Sequence, residues 1–156
     1  MRKSLKLVSA IGLLAAAAGV YAQQGVAPAK AEDAIRYRQS SLFVMNQHFG
    51  QIAAMVRGDR PFDAAVATSH AETVDRMGHL PWDAFFVTGA NQGGNTRAKP
   101  EVFTQRDKFM EGAKRLNGET AKLVAATKSG DAGAVRTAFG GVGAACKACH
   151  EPYRAQ

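Results

Sequence analysis

Near the C-terminus the chain carries the pattern Cys-Lys-Ala-Cys-His at residues 146–150. Haem has two vinyl groups, and each can take one thioether bond from a cysteine, which is why this spacing is typical of c-type haem attachment. Residues four apart share a helix face, so the His150 imidazole follows Cys146 and can bind the iron of the same group. The sequence therefore predicts one covalent haem c, held by Cys146 and Cys149 with His150 as iron ligand.

The cysteine pair has three alternative interpretations. A zinc site needs more ligands, and the chain has only two cysteines. A thioredoxin-type dithiol belongs with a βαβ pattern, and no strand pattern is found in the sequence. A plain disulfide leaves the adjacent histidine without a reason. Haem attachment is favoured because every cysteine of the chain lies inside the motif.

The N-terminus has the composition of a secretory signal peptide. Arg2, Lys3 and Lys6 precede an apolar run at 7–20, and Ala22 ends a small-residue cleavage site. The run is too short for a membrane span, so no membrane anchor is expected. The predicted signal peptide is 1–22, the predicted domain is 23–156, and the expected location is the periplasm, where haem attachment and disulfides are compatible with the redox conditions.

Charge gives little further information about partners. The full chain has a net charge of +7, and removing the three basic leader residues lowers this to about +4. No basic run with interleaved aromatic residues is present, so nucleic acid is not an expected partner.

Apolar residues recur at spacings of three and four in four segments. The first starts at Glu32 and ends before Gly58, the second covers about 63–79, the third runs from Glu101 to Ser129, and the fourth follows Asp131. Four amphipathic helices with two short links and one long link predict an all-α fold, an antiparallel four-helix bundle.

The long link, 80–100, contains Trp82, Phe85 and Phe86. Two interpretations remain open for it. The rings are either the hydrophobic anchor of a surface loop, or they cover a haem edge or close one end of the bundle.

The chain resembles the cytochromes c′, the class II c-type cytochromes. Segments 32–40, 48–50, 80–82 and 146–154 carry the resemblance, and the haem motif lies at the C-terminal end as in that class. The resemblance implies a homodimer, formed through the first two helices. It also implies roles for individual residues: haem attachment at Cys146 and Cys149, iron ligation by His150, propionate contacts at Arg38 and Gln39, the distal face at Leu42, and the proximal side at Arg154.

The residue at the distal position decides the expected function. Low-spin relatives have a methionine there, whereas Leu42 cannot coordinate iron and offers no hydrogen bond to a ligand. The resemblance therefore implies a five-coordinate, high-spin cytochrome that binds nitric oxide or carbon monoxide and transfers single electrons with an unidentified periplasmic partner. The alternative is a low-spin electron carrier with Met45 on the iron. No enzyme is predicted, because no carboxylate pair or distal base is placed for acid–base catalysis.

Overall fold

A computed structural model describes residues 28–91 and 96–156, so the predicted signal peptide lies outside the described residues. The regular elements of the described chain are all helical, and one isolated β-bridge joins Ala98 to Arg154. Its elements are α1 (Ala31–Arg57), α2 (Ala64–Gly78), a 3-10 turn (Asp83–Phe85), α3 (Glu101–Thr104), α4 (Arg106–Ser129) and α5 (Ala132–Tyr153). The most extensive packing is between α1 and α2, α2 and α4, and α4 and α5, and α5 also contacts α1. The predicted antiparallel four-helix bundle is confirmed.

Local chemistry defines the helix ends where the sequence predicted them. Gly58 and Gly130 follow α1 and α4 with φ of 83° and 74°, the left-handed conformation that glycine adopts without steric cost. Asp63 accepts a hydrogen bond from the Val66 N–H at 3.0 Å, and Asp131 accepts one from the Gly133 N–H at 2.7 Å. These carboxylates satisfy free amides at the start of α2 and α5.

The third helix differs from the prediction. Gln105 leaves the helical region with φ of −121° and ψ of 44°, which separates α3 from α4. Val102 and Phe109, on either side of the break, are both buried. Because the apolar spacing of seven continues across Gln105, periodicity alone did not reveal the interruption.

One hydrophobic core runs through the bundle. Each long helix contributes fully buried side chains to it, including Ile52, Val74, Leu123 and Val135. The Phe49 ring of α1 stacks on the Phe139 ring of α5, with the ring centroids 4.2 Å apart. This stacking shows which faces of α1 and α5 meet.

The aromatic residues of the long connection close one end of this core. Trp82 and Phe85 are buried, and the Trp82 indole donates a hydrogen bond to the Gly78 carbonyl at 2.6 Å. Phe109 of α4 lies 4.9 Å from the Phe85 ring and 5.3 Å from the Tyr153 ring, centroid to centroid. The connection is therefore tied down against α4 and the end of α5, which carries the haem motif. Among the described helices, none has the length and apolar character needed to cross a membrane.

Candidate haem-binding site

The Cys-x-x-Cys-His motif occupies the last turns of α5. Val142, Ala145 and Tyr153 lie on the buried side of this helix, and the two thiols are half-buried against the same hydrophobic core. Both Cys146 and Cys149 are free. The helix therefore presents two unpaired thiols, one turn apart, at the edge of the core.

The environment of the thiols is unlike that of a reactive dithiol. Burial raises the pKa of the Cys146 thiol, and burial together with the neighbouring Cys146 raises the pKa of the Cys149 thiol. Reactive cysteines are usually found at helix N-termini, where the pKa of the thiol is lowered, whereas this pair lies at the C-terminal end of α5. Within 28–91 and 96–156, no group of three or more His, Cys, Asp or Glu side chains is placed to hold a metal ion alone. The raised pKa of both thiols thus does not favour a reactive dithiol.

The surroundings of His150 favour its neutral form. Desolvation first, and then the positive charges of Arg154 and Arg97, lower the pKa of the His150 imidazole. A neutral imidazole has the free nitrogen lone pair that a metal requires. The local electrostatics therefore suit the role predicted for this residue.

Two arginines from different parts of the chain act electrostatically on His150. The helix ends at Tyr153, so Arg154 lies just outside α5, and its backbone is extended with φ of −125° and ψ of 127°. Its N–H still donates to the His150 carbonyl at 3.0 Å. Arg97 comes from the long connection, where its carbonyl accepts a bond from the Ala155 N–H at 2.8 Å. Sequence reasoning missed Arg97, because no local pattern points to this pairing.

The Phe49–Phe139 contact sets the register between α1 and α5. These helices are antiparallel, so moving seven residues back along α1 and seven forward along α5 leads from this contact to Leu42 and Cys146. Leu42 is half-buried and packs on the same core as both cysteines. The register thus brings the apolar Leu42 to the level of the haem motif.

The Met45 side chain points toward α2. It is buried in the core, and its Sδ would lie 3.8 Å from a Cβ at Gly78 of α2. The sulfur therefore lies against α2 at Gly78.

The Arg38 guanidinium, which is predicted to contact a haem propionate, is buried against the long connection. Its side chain is only 2% exposed, and its guanidinium donates to the Ala90 carbonyl at 2.9 Å, to Thr96 Oγ1 at 2.9 Å and to the Ala84 carbonyl at 3.4 Å. It also lies 4.5 Å from the centroid of the Phe85 ring, and burial lowers the pKa of the guanidinium. The guanidinium thus holds the long connection, whereas the adjacent Gln39 is exposed on α1. Propionate contacts at both residues stay a prediction.

Small side chains leave space beside the thiols. A groove of about 270 Å³ lies between α4 and α5, lined in part by Gly112, Ala145, Ala148 and Cys149. A Cβ at Gly112 would lie 3.8 Å from the Cys149 Sγ, so a larger side chain there would fill the space next to the thiol. The two free thiols, the His150 imidazole and this groove together fit a covalent haem.

The comparison with known families agrees with this geometry. The family profile described as Cytochrome C' matches residues 33–154. The chain belongs to the cytochrome c′ family. It is 41% identical over 126 residues to the cytochrome c′ of Alcaligenes xylosoxydans xylosoxydans, a match that covers 81% of this chain and 96% of the relative. The cytochrome c′ of Rubrivivax gelatinosus is 40% identical over 125 residues, covering 80% and 96% of the two chains.

Solved cytochrome c′ structures have the same fold. The crystal structure of the Rubrivivax gelatinosus protein matches with a TM-score of 0.77, covering 81% of this chain and 98% of that chain at 40% identity. A nitric oxide complex of a leucine-to-alanine mutant of cytochrome c prime from Alcaligenes xylosoxidans matches with a TM-score of 0.76, covering 83% and 98% at 40% identity. The predicted family is confirmed, and its members bind haem c.

Proposed function

We propose that this protein is a periplasmic, five-coordinate, high-spin c-type cytochrome that binds nitric oxide or carbon monoxide and passes single electrons. Cys146 and Cys149 would attach the haem, and His150 would ligate its iron. When bound, the haem supplies the iron that takes up a diatomic gas and changes its charge by one electron. The observation that carries the proposal is the register that sets Leu42 level with the haem motif.

The chain supplies one iron ligand from α5 and none from α1. Leu42 has no atom that can coordinate, and Met45 has its sulfur packed toward Gly78. The low-spin alternative needs that sulfur to leave the core, which would open a cavity between α1 and α2. An open sixth position is therefore the favoured state.

The two sides of the site differ in polarity. On the α1 side, Leu42 offers neither donor nor charge, which disfavours water, anions and dioxygen relative to neutral nitric oxide and carbon monoxide. On the α5 side, Arg154 and Arg97 place positive charge next to His150. Hydrogen-bond donors thus lie on the side of the histidine, whereas Leu42 offers none.

Solved relatives support gas binding. Structures of cytochrome c prime from Alcaligenes xylosoxidans include nitric oxide complexes of leucine-substituted mutants and a ferrous arginine-to-alanine variant with bound nitric oxide. Carrier rather than enzyme is the proposed role, because a peroxidase requires a distal base and Leu42 cannot act as one. The electron-transfer partner would be another periplasmic protein.

The proposed cytochrome is exported before it acts in the periplasm, and it forms a homodimer. Residues 1–22 would be removed as a signal peptide, and the family profile begins only at residue 33.

Two copies of the domain at 23–156 would associate through α1 and α2. The large apolar side chains that remain exposed in the described chain support this surface: they are Phe43, Val44 and Val66, all on these two helices.

The optical and spin-state spectra of the purified holoprotein test the open iron site. We expect high-spin ferric and ferrous spectra, and a spectral change when nitric oxide or carbon monoxide is added to the ferrous protein. A low-spin spectrum with a methionine–iron charge-transfer band would contradict the proposal and make Met45 the sixth ligand.

Substitution of Leu42 tests its position. Leu42→Ala removes bulk from the α1 side, and we expect carbon monoxide to bind about tenfold faster, equivalent to a barrier lowered by about 1.4 kcal/mol. Val44→Ala, on the exposed side of α1, is the matched control and should leave the rate unchanged. Equal rates in wild type and Leu42→Ala, measured by stopped flow, would remove Leu42 from the pocket.

A further inference from the structure

A pair of histidines lies on the face of the bundle formed by α1 and α2. His48 of α1 and His70 of α2 have their Nδ1 atoms 3.0 Å apart, and their ring centroids are 5.0 Å apart at an interplanar angle of 64°. We propose that this pair is a second metal site, a two-imidazole chelate for a divalent late transition metal, with Cu²⁺ as the preferred ion. The site uses no residue assigned to the haem.

The distance between the nitrogens suits chelation. Imidazole nitrogens bind these metals at about 2.0–2.1 Å, so two nitrogens on one ion at right or tetrahedral angles lie about 3 Å apart. The observed 3.0 Å separation already has this value. At present one ring nitrogen must donate and the other accept, so a single proton lies between them. A metal ion would replace that proton, which would move to Nε2 of the same ring, after a rotation of the two rings.

The bundle holds the two ligands in place. His48 and His70 lie within long helices, and Ala67 and Ala71 of α2 are fully buried where α2 packs against its neighbours. In the single chain neither histidine ring is fully buried, so solvent can bring an ion to the free coordination positions. Binding therefore requires no ordering of a loop, and the entropic cost is confined to side chains already in contact.

Electrostatics both favour and oppose the site. Desolvation first, and then His48 and Arg60, lower the pKa of His70, so the coordinating neutral imidazole dominates near neutral pH. Arg60 also repels a cation, but its guanidinium is held by the Gln51 side-chain oxygen at 2.7 Å. A nitrogen-only site facing this charge needs a metal with strong affinity for imidazole, and Cu²⁺ stands highest in that order, above Ni²⁺ and Zn²⁺.

Calorimetric titration of the ferric holoprotein with CuCl₂ in a weakly coordinating buffer tests the proposal. We expect one Cu²⁺ per chain, because both ligands belong to one chain, and a copper EPR signal with hyperfine splitting from imidazole nitrogen. Residues that only orient metal ligands typically contribute roughly 10–100-fold to affinity, so His48→Gln and His70→Gln should each weaken binding by at least about tenfold. Lowering the pH should release the metal as the histidines take up protons.

His79→Gln is the matched control. His79 is an exposed histidine at the end of α2 whose Nδ1 contacts the Asn117 amide at 3.1 Å, and its loss should leave copper affinity unchanged. Far-UV circular dichroism and the haem spectrum establish that each variant is folded. A second readout is the midpoint of thermal unfolding, which Zn²⁺ should raise in wild type and His79→Gln but not in the other two variants.

Several outcomes would overturn the chelate. These are wild-type affinity in either His48→Gln or His70→Gln, equal loss in His79→Gln, one metal per two chains, or an EPR signal without nitrogen coupling. None of these outcomes depends on gas binding, so the metal site and the proposed haem function fail or stand separately.

Discussion

Arg38 shows how one residue can organise a long segment. It is the largest of the fully buried side chains in the described chain, and its partners at Ala84, Ala90 and Thr96 all belong to the connection between α2 and α3. A buried guanidinium requires such partners, because an unpaired buried charge is costly. This residue therefore joins α1 to the segment that also delivers Arg97 to His150.

Arg38→Ala should destabilise the holoprotein by about 2–4 kcal/mol, since it removes charge-assisted hydrogen bonds and leaves buried carbonyls unpaired. Arg36→Ala, at an exposed position of α1, is the control and should change stability by less than about 0.5 kcal/mol. Urea unfolding followed by circular dichroism measures both. Equal midpoints for the two variants would show that Arg38 does not hold the connection.

Arg154 is the residue whose role depends most on the haem. Arg154→Ala removes the donor and positive charge beside His150, and we expect the nitric oxide-bound protein to release or rearrange its ligand at a different rate. Lys147→Ala, which removes an exposed charge on α5, is the control. Identical nitric oxide spectra and kinetics in Arg154→Ala and wild type would leave Arg154 without a ligand role.

At the scale of the element, α5 combines the haem motif with an unusual density of glycine. Gly140 is exposed, and a Cβ there would meet no atom within 4 Å, whereas a Cβ at Gly141 would collide with the Glu119 carboxylate of α4. Glycine weakens a helix because it loses more backbone entropy on folding, and this cost is the same at both positions. The two sites differ only in what surrounds them.

Gly140→Ala should therefore stabilise the protein by about 0.5–1 kcal/mol, the difference in helix propensity between glycine and alanine. Gly141→Ala should gain less or lose stability, because the Glu119 side chain, which also pairs with Lys122 at 2.7 Å, has to move. Thermal or urea unfolding of the two holoproteins makes the comparison. If Gly141→Ala is the more stable of the two, the close approach of α4 and α5 at this point is wrong.

At the scale of the whole molecule, the large exposed apolar side chains of the described residues belong to α1 and α2, the two helices of the proposed dimer face. Phe43 is 63% exposed, and Val44 and Val66 lie on the same two helices. Aromatic residues at the centre of an interface often contribute more than 2 kcal/mol to association. This face is therefore where the proposed homodimer should be most sensitive to substitution.

Phe43→Ser should weaken dimerisation by about 30-fold, equivalent to about 2 kcal/mol. Lys114→Ser, which removes an exposed side chain from α4, should have no effect. Sedimentation equilibrium of the holoprotein gives the dissociation constant of each. A monomeric wild type, or a Phe43→Ser variant that dimerises normally, would contradict pairing through this face.

Several features could be predicted from the sequence because their physical causes are local. Cys146, Cys149 and His150 are brought together by the helical repeat alone, and Asp131 and Gly130 mark helix ends through bonds that span a few residues. The apolar spacing of three and four defined four helices, and four such helices have few ways to bury their stripes. The fold class, the family and the attachment motif therefore followed from the chain itself.

Other features were decided by the tertiary structure, because they depend on contacts between residues far apart in the chain. The burial of Arg38 beneath the connection, the approach of Arg97 to His150 and the contact of His48 with His70 arise only when helices and loops pack. The break at Gln105 left the apolar spacing unchanged and so gave no signal. Register between α1 and α5, set by the stacking of Phe49 on Phe139, likewise has no local trace. Local hydrogen bonding and apolar spacing determine where the helices form. Tertiary packing determines which helices and loops are neighbours, and therefore which residues surround the site.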